Sequence, residues 1–165
     1  MTSVLVGYAS EHGSTRTVAE RIGARLGADV RSLDEVEDPG AYEAFVLGSA
    51  VHGQAWLPEA AAFVRANREM LAGRPVWVFS VGMPGALRGP WKLLAGKEEP
   101  QVIGAIQAAL GPRGHRLFSG VVSRDHFPLT GRLVFRLMGC RYGDYRDWAA
   151  VDAFAEEIAR ALTRP

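Results

Sequence analysis

Five short apolar runs punctuate the chain, each near strand length and rich in β-branched or aromatic residues. They are Ser3–Ala9, Ala28–Leu33, Ala44–Ser49, Pro75–Val81 and His115–Val122. Several are apolar almost continuously, as in Val76-Trp77-Val78-Phe79, rather than alternating. A strand with no polar face is buried on both sides, which predicts a parallel sheet covered by helices. Helical spacing fills the gaps. Val18, Ile22 and Leu26 recur at i, i+4 and i+8, with Arg21 and Arg25 on another face. Leu57, Ala61, Val64 and Leu71 predict a second helix with Pro58 in its first turn. Val102, Ile103, Ile106 and Leu110 predict a third, stopped by Gly111-Pro112. Val151, Phe154, Ala155, Ile158 and Leu162 predict the last, N-capped by Asp147. Only about ten residues, Asp34–Glu43, separate the second and third strands, which leaves room for a turn of helix at most. Strands alternating with helices imply right-handed crossovers and an α/β, doubly wound sheet.

Composition narrows the function more than the fold. The 165 residues fit one domain spanning 1–165, with no linker, repeat or low-complexity stretch dividing them. Lys and Arg number 19 against 18 Asp and Glu, a net charge of +1, and the basic residues are interspersed among acidic ones. A nucleic-acid partner would call for a basic excess on one face, so none is expected. The lone Cys140 excludes an internal disulfide and a thiolate cluster, and no His/Cys/carboxylate group has metal spacing. The start, Met1-Thr2-Ser3-Val4-Leu5-Val6, lacks a cationic region and reaches Glu11 and His12 too soon for a signal peptide. No run approaches the roughly 18 apolar residues of a membrane span. The expectation is a cytoplasmic protein, with attachment at the inner face of the membrane left open.

The stretch after the first strand, Ser10-Glu11-His12-Gly13-Ser14-Thr15-Arg16, places hydroxyls and a glycine directly before the first helix. A helix start leaves N–H groups unpaired and carries a partial positive charge. Hydroxyl donors, with a glycine that admits close approach, let such a loop surround a phosphate without a lysine. Equally, Ser14 or Thr15 is a plain helix cap. In open α/β sheets, ligands bind beyond the carboxyl ends of the strands at the switch point. The third strand runs into Gly48-Ser49-Ala50-Val51-His52-Gly53-Gln54-Ala55-Trp56 and the fourth into Ser80-Val81-Gly82-Met83-Pro84-Gly85. All three loops are therefore expected on one edge. Other chemistries fail on the residues. Neither G-x-G-x-x-G nor Gly-Lys-Ser/Thr follows the first strand. Ala9-Ser10 and Gly48-Ser49 stand where a phosphoryl-receiver domain needs acidic residues. In Val78-Phe79-Ser80-Val81-Gly82, Val78 occupies the place of a nucleophile elbow's first glycine.

These residues resemble the flavodoxin-domain family. Ser10–Thr15 is similar to that family's phosphate loop, hydroxyl-x-hydroxyl-Gly-x-Thr, with His12 where a hydroxyl is usual. Along nearly its whole length the chain also resembles the menaquinone-dependent protoporphyrinogen IX dehydrogenases of bacteria. The similar features are Gly13-x-Thr15-Arg16, Gly48-Ser49-Ala50-Val51-His52, Phe79-Ser80-Val81, Ser119-Gly120-Val121-Val122 with the basic-aromatic insert after it, and Asp147-Trp148. The resemblance implies a flavodoxin-like five-stranded parallel sheet in order 2-1-3-4-5, helices on both faces, and FMN as cofactor. It implies that Ser10, Gly13, Ser14 and Thr15 hold the phosphate with His12 beside them. Ala50, Val51, His52, Gly53 and Gln54 would flank the ring on one side, and Val81, Gly82 and Met83 on the other. Trp56 either borders the ring or staples the following helix to the core. His52 is either a solvated loop residue or a catalytic base.

Two segments exceed ordinary connection lengths, Gly82–Pro100, with Trp91, Lys92 and Lys97, and Ser123–Arg146. Specificity is expected there. In the second, Leu133, Val134, Leu137 and Met138 share one helical face and Arg132 and Arg136 another, while Phe127 and Phe135 add apolar area. Such a helix suits an anionic membrane surface or a lipid-soluble quinone; it also suits a cover for the sheet edge or a homodimer contact. Arg124, Arg132, Arg136, Arg141 and Arg146 either meet porphyrin propionates or are solvated. The function expected is an FMN-binding oxidoreductase that oxidises protoporphyrinogen IX or a similar reduced compound and passes electrons to a quinone. The alternative is a flavodoxin-type electron carrier without a small-molecule substrate. Carriers of that kind are typically strongly acidic, unlike this chain at +1.

Overall fold

The structure, a computed structural model, describes residues 2–83, 86–87, 90 and 104–164. In chain order its elements are β1 (Val4–Ala9), α1 (Ser14–Leu26), β2 (Asp29–Ser32), β3 (Ala44–His52), β4 (Ala55–Trp56), α2 (Pro58–Ala66), α3 (Arg68–Ala72) and β5 (Val76–Gly82). There follow α4 (104–110), β6 (Gly114–Ser119), β7 (Val121–Val122), α5 (Leu129–Leu137), β8 (Gly143–Asp144) and α6 (Trp148–Thr163). The main sheet runs β2-β1-β3-β5-β6, parallel throughout, with the short β4 added antiparallel to β3. Leaving β4 aside, this is the 2-1-3-4-5 order of a flavodoxin-like fold. Between β2 and β3 the spacing admits only two single 3-10 turns, Leu33–Glu35 and Pro39–Ala41.

Alternation along the strands sends successive side chains to opposite faces and so builds two cores. On one face Leu5, Phe45, Leu47 and Val78 pack under Leu57, Phe63, Val64, Leu71, Ile106 and Leu110. On the other, Val6, Val46, Trp77, Phe79 and Phe118 meet Val18, Ile22, Val151, Phe154 and Ile158 of α1 and α6. Each such side chain, fully buried, contributes about 1.5–3 kcal/mol. Gly48 is required by this packing: a Cβ there would stand 2.0 Å from Cζ of Phe79 on the neighbouring strand. Asp147 caps α6 by accepting the Ala150 N–H at 3.1 Å.

Several boundaries differ from expectation. The second helix is broken at Asn67, which closes α2 and opens α3 with φ −111° and ψ 16°. Its buried face is carried by Ala60, Phe63 and Val64, and Ala61 faces solvent. Nor is His115–Val122 one strand. β6 ends at Ser119, the chain turns at Gly120, and Val121–Val122 pairs antiparallel with β8. The turn is fixed by Gly120 N–H donating to the Gly82 carbonyl at 2.9 Å, where a Cβ would come 2.9 Å from Val81 Cγ1. Trp91, Lys92, Lys97, Val102 and Ile103, with Pro84 and Gly85, lie outside the described residues.

The insert over 123–146 has a small core of its own. Ala86, Val122, Phe135 and Cys140 are buried there, and Phe135 packs its ring 4.9 Å from Tyr142 and 5.1 Å from Phe127. The remaining apolar face of α5 is turned outward: Leu129, Leu133, Val134 and Leu137 are 55–78 % exposed. Among the described residues no helix is long and apolar enough to cross a membrane.

Candidate functional site

The loop between β1 and α1 is shaped by its own side chains. The Gly13 N–H donates to Ser10 Oγ at 3.0 Å, and Gly13 takes the left-handed conformation, φ 91°, with nothing within 4 Å of where a Cβ would sit. The first helical bond runs from Thr17 N–H to the Gly13 carbonyl at 3.1 Å. The N–H groups of Ser14, Thr15 and Arg16 therefore have no hydrogen-bond acceptor among the described residues. Three amides at the positive end of α1 point out of the loop. Thr15 is 1 % exposed and its hydroxyl has no partner among the described residues, while Ser14 Oγ accepts the Val121 N–H at 3.0 Å. The plain capping reading is not what the structure has: no side chain caps α1.

The second wall is a hairpin. β3 continues past the sheet, turns at Gly53 and Gln54 with φ of 56° and 63°, and returns as β4. Both left-handed residues suit the tight turn that matches strand twist. Two adjacent buried serines root it. Ser49 Oγ accepts the Leu57 N–H at 2.9 Å, and Ser80 Oγ accepts the Trp56 indole N–H at 2.8 Å. Ser80 also meets His115 Nε2 at 3.1 Å; burial, with Arg116 nearby, pulls that imidazole down to about 4 and keeps it neutral.

Between these walls lies a cleft of about 360 Å³ lined by Ser10, Glu11, His12, Ser14 and Thr15, by Ala50, Val51, His52 and Gly53, by Val81, Gly82 and Met83, and by residues reached from the insert. Most of the residues singled out in the sequence are thus brought together. Gly13, Gln54 and Trp56 do not line it; Trp56 is 8 % exposed and tied to Ser80, with its ring in the core beneath α2. His52 is open to solvent, its Nδ1 3.5 Å from Glu11 Oε2. Glu11, inside the loop read from the sequence, lines the cleft too, and Gly120, Val121, His126, Phe127 and Pro128 complete the lining without having been legible as site residues. The length of the insert was a signal that it carries function, but no local pattern says which of its residues fold back.

Among the described residues no lysine or arginine lines the cleft. The groups it offers an anion are amides, hydroxyls and imidazoles. A second groove of about 380 Å³, formed by Met83, Leu87, Phe127, Thr130, Gly131, Val134, Phe135 and Met138, shares Met83 and Phe127 with the cleft. The arginines divide into two sets. Arg146 forks onto Asp144 at 2.8 and 2.5 Å, holding that carboxyl down at about 2, and bonds Thr17 Oγ1 at 3.0 Å. Arg132 is spent on the carbonyls of Arg124 and Phe127. Arg124, Arg136 and Arg141 are exposed, with no hydrogen bond or ion pair from their guanidinium groups among the described residues.

A doubly wound sheet with a loop of open amides at its switch point has the architecture of the mononucleotide-binding α/β proteins. A model of the family described as Flavodoxin domain matches residues 5–146, and the chain belongs to that family. No curated protein matches it. Among solved structures it is similar to flavodoxin 2 from Bacillus cereus in oxidised form, at 20 % identity and TM-score 0.61, covering 98 % of this chain and 99 % of that one. It is similar to a flavoprotein from Lactobacillus acidophilus in complex with FMN, at 12 % identity and TM-score 0.55, over 71 % and 93 % of the two chains. Rubredoxin oxygen:oxidoreductase from Desulfovibrio gigas is similar at 15 % identity and TM-score 0.64, over 98 % of this chain but 36 % of that longer one. At these identities the structural likenesses establish the fold.

Proposed function

We propose that the cleft binds FMN and that the protein is an FMN-dependent oxidoreductase, oxidising protoporphyrinogen IX or a similar reduced compound and passing electrons to a quinone. The residues fit the cofactor. Three open amides and the Thr15 hydroxyl suit a phosphate. Ala50, Val51, Val81 and Met83 give the cleft an apolar middle for a flat ring. Bound FMN supplies reversible two-electron chemistry, and the chain's task is to hold and surround it. Ser49 and Ser80, through Leu57 and Trp56, anchor the hairpin that would stand beside the ring.

The observation that carries the enzyme reading is the apolar groove that adjoins the cleft, with Met83 and Phe127 lining both. A protein that only shuttles electrons needs no second cavity beside its cofactor; one that oxidises a hydrophobic compound does. Arg124, Arg136 and Arg141, unpaired among the described residues, suit a substrate bearing carboxylates. The outward leucines of α5, with Arg136 on the same helix, suit the anionic membrane surface in which a lipid-soluble quinone resides. Anaerobic incubation of the FMN-loaded protein with protoporphyrinogen IX and a menaquinone analogue tests the proposal. Porphyrin fluorescence that appears only with the quinone present supports it. Slow one-electron exchange with added acceptors and no porphyrin returns the protein to the carrier reading.

A further inference from the structure

The insert reaches the cleft with a titratable side chain. His126 closes the 3-10 turn Arg124–His126 and lays its ring on His12, with centroids 3.9 Å apart and planes 10° from parallel. His12 belongs to the loop before α1, so the stack joins His126 to the loop that carries the open amides, and both rings line the cleft with Ser14 and Thr15. His126 Nδ1 accepts the Ser123 N–H at 3.3 Å. A ring nitrogen that accepts carries no proton, so this bond selects the Nε2–H tautomer of the neutral imidazole. Nε2 has no hydrogen-bond partner among the described residues. Burial and the neighbouring His12 imidazole hold His126 below the usual imidazole range, against the opposing pull of Asp125 and Glu11. From the hairpin, His52 faces the same Glu11 at 3.5 Å. At neutral pH His126 is thus a neutral N–H donor on the cleft wall, its orientation set by a backbone amide on one edge and a stacked ring on one face.

We propose that His126 is a phosphate ligand supplied by the insert, donating Nε2–H to an oxygen of the bound mononucleotide's phosphate while its stack on His12 registers the insert against the phosphate loop. This rests on the FMN reading above. It assigns His12, which stands where the family's loop has a hydroxyl, the role of a platform for a donor arriving from elsewhere in the chain. A phosphate held from both sides would also tie the insert, and the groove it builds with Met83 and Leu87, to the loaded state of the cofactor site.

Fluorescence titration of the apoprotein with FMN and, separately, with riboflavin tests this. His126→Phe retains a flat ring for the stack and removes the donor. The FMN dissociation constant should rise about tenfold, the worth of one hydrogen bond to a charged group, with riboflavin affected less than about twofold. In the wild-type protein, long-range 1H–15N spectra should show the Nε2–H tautomer, with that proton shifting on addition of FMN and not of riboflavin. Equal weakening toward both flavins, unaltered FMN affinity, or an Nδ1–H tautomer would overturn the assignment. A wild-type protein that takes up neither flavin sinks the FMN reading as well, an outcome separate from one that binds FMN and tolerates the substitution.

Discussion

Helix α1 buries Val18, Ala19 and Ile22 completely against the sheet, whereas α5 turns Leu129, Leu133 and Leu137 to solvent and buries Phe135. Both helices are amphipathic, and each follows a segment that lines the cleft, Ser10–His12 before α1 and His126–Pro128 before α5. The difference lies in what each stripe meets. α1 packs on the sheet alongside α6, where apolar area removed from water becomes stability. α5 stands on a thin local core, and its leucines gain nothing from the fold that holds them. An apolar stripe left outward on an otherwise ordinary surface is the mark of a contact surface rather than of a stabilising one.

Substitutions should separate the two regions by the size of their effects. Phe154→Ala, in the core between α6 and the sheet, is expected to lower the unfolding free energy by about 3–5 kcal/mol in urea titrations. A loss below about 1 kcal/mol would mean that α6 packs more loosely than it does here. Gly48→Ala forces a methyl into the Phe79 ring and should cost about 1–3 kcal/mol by the same measurement.

Asp152 joins α6 to α1 through Arg21 at 2.7 Å and Arg25 at 2.5 Å, which hold its carboxyl well below the ordinary 3.8. A depressed carboxylate stabilises the fold above its unfolded value, and the contribution is lost as pH falls through the folded one. Asp152→Asn should therefore lower the Tm at pH 7, by a difference that narrows toward strongly acidic pH and in high salt. A difference that persists unchanged in acid would show that the pair acts by packing and not by charge. On α5, Leu133→Ser should leave stability within about 0.5 kcal/mol of the parent while reducing co-sedimentation with anionic vesicles. Unchanged sedimentation alongside a shift from dimer to monomer would reassign the stripe to a subunit contact.

Much of the sheet was readable because burial on both faces leaves runs such as Val76-Trp77-Val78-Phe79 with no other destination. The open-amide loop before α1 was readable because hydroxyls, a glycine and a helix start are adjacent in the chain. What escaped was set by contacts between distant segments. Gly120 breaks a strand that looks continuous because its N–H goes to Gly82 and its neighbour Val121 donates to Ser14. Trp56 has the same local sequence whether it meets a ring or Ser80, and only the pairing of β3 with β5 places Ser80 beneath it. His126 reaches the cleft because the 123–146 segment folds back across it, which no spacing within that segment reveals.

Three amides and a buried hydroxyl at the mouth of α1 have no partner among the described residues, and the proposal is that they hold a phosphate. Calorimetric titration of the apoprotein with FMN and with riboflavin measures it directly. One site per chain is expected, with FMN bound at least about a hundredfold more tightly, as two or more hydrogen bonds to a charged group require. Equal affinity for the two flavins, or no heat with either, would contradict it.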